Sequence, residues 1–111
     1  MSLDNNRLLI DFDRIMRECN QEIINPEIPD LTIDKLVPVM QMVAHARADY
    51  LKCLYNTATE TSGAAPSDEQ IQSLESLRHR YKVLLQGAKE LELAIQRGYL
   101  TVADPQETEV A

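Results

Sequence analysis

Leu74, Leu77, Tyr81, Leu84, Ala88, Leu91 and Ile95 recur along the chain at alternating separations of three and four residues. A strand repeats every two residues, so this pattern excludes a strand. It fits an α-helix carrying a heptad seam that must lie against another helix. The helix has a clear start and stop. Ser67-Asp68-Glu69-Gln70 forms a capping box after Pro66 and places acids in the first turn. Gly98 suits the left-handed residue just past a helix end. The spacing predicts a helix over 67–97.

Two further helices are predicted upstream, over 4–24 and 34–59. In the first, Leu8, Leu9, Phe12, Ile15, Met16, Cys19 and Ile23 fall within an arc of roughly 120°. Asp11, Glu18 and Glu22 border that arc. Pro26 and Pro29 stop the helix, and the linker 25–33 is too proline-rich to continue it. The next helix takes its cap from Thr32 or Asp34 and carries Pro38 near its first turn. Its polar stripe, Gln41, His45, Asp49, Lys52 and Asn56, is narrow. Most of its remaining circumference is apolar or small, which calls for neighbours on several sides. Its buried arc is expected among Met40, Val43, Arg47, Tyr50, Leu51 and Leu54.

Short connections favour antiparallel neighbours. The fold class expected is therefore all-α: a long helical hairpin turning near Gly63, with the first helix packed across it. The heptad helix overhangs the start of its partner, leaving Leu91, Ile95, Tyr99 and Leu100 to be covered by Ile28, Leu31 and Ile33 of the linker. One domain over 1–102 accommodates these elements in a chain of 111 residues, followed by an acidic disordered tail over 103–111. The apolar excess of the central helix and the unbroken heptads of the last one point to completion by homodimerisation.

Charge and cysteine content narrow the function. Eighteen acids against eleven bases give a net charge of −7, which repels nucleic acid and anionic membrane surfaces. No apolar run is long enough to span a bilayer, and the N-terminal residues do not read as a signal peptide. Cys19 and Cys53 are isolated, lack CxxC spacing, and fall about 20 Å apart along the helix axes. A disulfide is not expected, and a reducing cytoplasmic setting is.

Arg47 is the most informative polar residue. A guanidinium in an apolar arc must find a partner. Three roles are open: a structural ion pair with Asp11, with Glu75 and Tyr81 also near in level; a reach toward a partner chain or the surface; and a pocket that holds an anionic ligand. Lys35 and Glu92 fall level and form a second expected ion pair. His45 with Asp49 and Glu75 with His79 are i,i+4 pairs at one height, but both lie on outward faces, so no metal site is expected. Arg78-His79-Arg80-Tyr81-Lys82 spreads its bases around the helix and reads as solvated surface.

There is no glycine-rich phosphate loop, GxSxG or HExxH, no acid pairs of a helical nucleotide hydrolase, and no cofactor motif. The expectation is a small acidic protein-interaction or assembly module without catalytic activity, acting as a homodimer or with a protein partner. Met16, Met40 and Met42 add adaptable apolar surface. The alternative is a binder of an anionic small molecule near Arg47.

Overall fold

The computed structural model describes residues 3–103. Among these the chain forms three α-helices and one short 3-10 turn: α1, Leu3–Ile24; the turn, Asn25–Glu27; α2, Ile33–Thr61; and α3, Asp68–Gln96. Each helix bound lies within two residues of the expected one. The chain separates into two compact units, with boundaries inside α2 and α3.

One unit is the hairpin of residues 37–90, in which α2 and α3 pack antiparallel. Facing α3, α2 buries or half-buries Val39, Val43, Ala46, Tyr50, Cys53 and Thr57, at alternating separations of four and three. In return α3 half-buries Leu74, Leu77, Tyr81, Leu84 and Ala88, of the heptad read from the sequence, and Gln70 one turn before them. Two side-chain bonds fix the register. The Arg47 Nε–H donates to Tyr81 Oη at 2.9 Å, and Gln70 Nε2 donates to Glu60 at 3.3 Å.

The turn is built from two caps. Ser62 adopts the left-handed conformation at φ 52° and Gly63 follows at φ 84°. The Ser62 N–H reaches Thr59 O and the Gly63 N–H reaches Ala58 O, each at 3.2 Å, the paired bonds of a Schellman motif. The capping box then opens α3. Gln70 N–H donates to Ser67 Oγ at 3.2 Å, and Ser67 N–H donates to Gln70 Oε1 at 2.8 Å. Gln70 thus both starts α3 and ties it to the end of α2.

The other unit comprises residues 1–36 and 91–111, of which residues 1, 2 and 104–111 lie outside the described set. Gly98, at φ 78°, closes α3 with a second Schellman motif: Tyr99 N–H to Ala94 O at 2.8 Å and Gly98 N–H to Ile95 O at 3.1 Å. The chain beyond it is held by the linker. Thr101 N–H donates to Asn25 Oδ1 at 3.2 Å and Ala103 N–H to Leu31 O at 2.8 Å. Leu31 and Leu100 are buried. Of the three linker residues expected to cover this end, Leu31 does so, whereas Ile28 and Ile33 are exposed. Ala103, read from sequence as the start of the tail, is paired; the remainder of that tail is outside the described residues.

The apolar arc of α1 is exposed: Leu8 is 67% exposed, Phe12 64% and Ile23 69%. Exposed local ion pairs run along the helix. Arg14 lies 3.3 Å from Glu18 and 3.8 Å from Asp11, and Arg17 lies 3.1 Å from Asp13. Such pairs contribute only about 0.3–0.5 kcal/mol each. The exposed arc is the larger energetic fact.

Candidate functional site

The hairpin has two different sides. α2 carries a second 3-4 stripe, Met40, Ala44, Arg47, Leu51, Leu54 and Ala58, roughly 100° around the helix from the seam that meets α3. Val37 and Tyr55 flank it. Its large members are bare: Met40 is 57% exposed, Leu51 52% and Tyr55 73%. This explains why α2 is apolar over most of its circumference. One stripe is spent on α3, and a second is left over.

Arg47 stands in that second stripe and is exposed, not central to the buried arc. Its Nε–H is bonded to Tyr81 Oη, and its guanidinium carbon lies 5.2 Å from the Tyr81 ring centroid. Lys82 Nζ lies 5.8 Å from the same centroid, so Arg47 and Lys82 share one side of the hairpin. Tyr50 completes the cluster, its ring stacked on Tyr81 at 6.4 Å between centroids and 13° between planes.

On the opposite side of the hairpin lies an open cleft, lined by the polar residues Asp49, Lys52, Asn56, Glu60, Gln70 and Ser73 and by Cys53 and Leu77. Gln70 already spends its amide on Glu60 and Ser67, and Ser73 Oγ donates to the Glu69 carbonyl at 3.2 Å. A second open cleft, in the other unit, is lined by Asn25, Pro29, Leu31, Thr101 and Ala103.

The other sequence-derived candidates fall as follows. Asp11 lies beside Arg14 at 3.8 Å. Lys35 Nζ donates to the Asp30 carbonyl at 2.8 Å, across a turn in which Asp30 itself has φ 58°. Glu92 accepts from Gln96 Nε2 at 3.3 Å. His45, Asp49, Glu75 and His79 are all exposed. Among the described residues, no group of three or more His, Cys, Asp or Glu side chains is gathered as a metal site would need. Cys19 is an exposed free thiol and Cys53 a half-buried one. No helix among the described residues is long and apolar enough to cross a membrane.

What the sequence reading missed is the division of α2 into two stripes. Its signal was present in the 3-4 spacing of Val39, Val43, Ala46, Tyr50, Cys53 and Thr57, but small and polar members hid it behind the bulkier stripe. No protein-family model, curated protein or solved structure matches the chain.

Proposed function

We propose that this chain is a small, acidic, non-enzymatic assembly module of the cytoplasm that works as a homodimer through its apolar helical faces. The observation that carries the reading is the exposed arc of α1. Leu8, Leu9, Phe12, Ile15, Met16 and Ile23 lie on one side of a single helix, and all are bare in the isolated chain. Monomeric soluble proteins rarely leave contiguous apolar patches larger than a few hundred Å².

The magnitudes favour association. Burying six such side chains is worth roughly 1.5–3 kcal/mol each. Even halved for incomplete burial, the sum from two copies meets an association cost of about 4–15 kcal/mol. The net charge of −7 and the isolated free thiols of Cys19 and Cys53 support a reducing setting and a protein partner over nucleic acid.

A pocket for an anionic small molecule at Arg47 has less behind it. Arg47 is exposed, and its Nε–H is committed to Tyr81.

Light scattering over a tenfold concentration range in reducing buffer tests the proposal. The expected mass is twice 12.6 kDa, falling toward 12.6 kDa only on strong dilution. A mass of 12.6 kDa at every concentration overturns self-assembly.

A further inference from the structure

The hairpin holds its two helices together through one seam, and each helix has a weak point in its backbone at the same end of that seam. On α2 the weak point is Pro38. It is the sixth residue of the helix, past the first turn in which a proline is tolerated. It has no N–H to donate to the carbonyl of Asp34, and its ring crowds that carbonyl.

On α3 the weak point is Gly87, inside the helix and exposed. Nothing stands within 4 Å of the place its Cβ would take. Its φ is not positive, unlike those of Gly63 and Gly98. Neither packing nor backbone geometry requires glycine there, and alanine would favour the helix. What glycine adds at such a position is freedom to bend.

The two points fall together. The Arg47–Tyr81 and Glu60–Gln70 bonds set the register and place Pro38 level with about residues 90–92, so Gly87 lies about one turn away along the hairpin. Pro38 and Gly87 adjoin Val39 and Ala88, the last residues of the hairpin seam at this end. Just beyond them, after residue 36 and before residue 91, the chain divides into its two compact units. Two packed antiparallel helices bend as a pair only where each yields at a similar height, because a bend in one alone shears the seam. Both residues are exposed, so water can take up the carbonyls that bending releases.

We propose that Pro38 and Gly87 form a paired hinge at the open end of the hairpin, about which residues 37–90 and the unit that carries α1 change their mutual orientation. The apolar arc of α1 belongs to one unit and the stripe of Met40, Leu51 and Leu54 to the other. The hinge therefore controls how these two bare faces are presented. It works within a single chain, whether or not that chain pairs with a second copy. Collective bending of this kind runs on the microsecond-to-millisecond scale.

Pulsed electron-spin distance measurement in frozen solution reads the spread of orientations. Spin labels go on cysteines placed at exposed positions in a Cys19→Ser, Cys53→Ala background. One pair spans the hinge, Glu22→Cys with Asn56→Cys. A reference pair lies within the hairpin, Asn56→Cys with Gln86→Cys. Labelled protein is diluted into excess unlabelled chain, so that only distances within one chain are read. The spanning distribution is expected to be at least about twice as wide as the reference. Pro38→Ala with Gly87→Ala is expected to narrow it by about half and to leave the reference unchanged. Both changes are exposed and favour helix, so the variant keeps its fold. A spanning distribution as narrow as the reference in the otherwise wild-type chain overturns the hinge. A wide one that the double variant leaves unchanged overturns its location at Pro38 and Gly87. Either result leaves self-assembly standing.

Discussion

Ala46→Asp is expected to cost about 3–5 kcal/mol and to unfold most of the hairpin. Ala46 is 5% exposed and sits in the α2 seam beside Tyr50 and Val43. A carboxylate there has no room to reach water, and Arg47 points to a different face of the helix. An unpaired buried charge is among the few single changes that remove most of a small domain's stability, which totals about 5–15 kcal/mol. Chemical denaturation followed by circular dichroism reads the loss. Ala48→Asp, two residues away on an exposed face, serves as the control and is expected to cost under about 1 kcal/mol, mostly from helix propensity. Equal losses at both positions would mean that the seam runs elsewhere on α2.

The second large effect concerns association. Replacing Phe12 and Ile15 together by Gln removes two of the apolar side chains at the centre of the α1 arc while preserving helix propensity. Each is worth about 1.5–3 kcal/mol on full burial; with both copies changed and burial half complete, dimer dissociation is expected to increase by roughly two to four orders of magnitude. Helix content before the melt is expected to stay as before, because neither residue belongs to the hairpin, while the melting temperature falls with the loss of association. Light scattering and a thermal melt on the same sample separate the two effects. An unchanged dimer would show that α1 does not carry the interface.

The elements that were legible in advance are those set by local chemistry. The capping box Ser67–Gln70, the left-handed Gly98 and the heptad from Leu74 onward each depend on a few neighbouring residues, and each is present where the spacing puts it. The hairpin turn near Gly63 followed from the same reasoning. Its C′ residue is Ser62, not the glycine, a conformation that costs an L-residue about 1–2 kcal/mol and that no local rule singles out.

What was not legible depends on choices between faces. The helical wheel of α2 offers two 3-4 stripes, and periodicity alone does not say which one meets α3. The expected arc ran over Met40, Val43, Tyr50, Leu51 and Leu54. The structure keeps Val43 and Tyr50 in the seam, with Ala46 and Cys53, and leaves Met40, Leu51 and Leu54 exposed. Arg47 follows from that choice. Once the seam moves, it becomes an exposed residue bonded to Tyr81. The arc of α1 was recognised correctly as apolar, but amphipathicity states only that a face must be covered, not by which chain.

The central claim is that this arc is covered by a second copy, and Cys19 reports on it directly. It lies in the middle of the arc and is an exposed free thiol in the single chain. The measurement is its rate of reaction with a maleimide, read residue by residue by mass spectrometry across a hundredfold range of protein concentration, with half-buried Cys53 as the internal reference. The account predicts that Cys19 is protected at least tenfold at high concentration and becomes freely reactive on dilution, while Cys53 stays constant. A Cys19 rate that is fast and independent of concentration would contradict it.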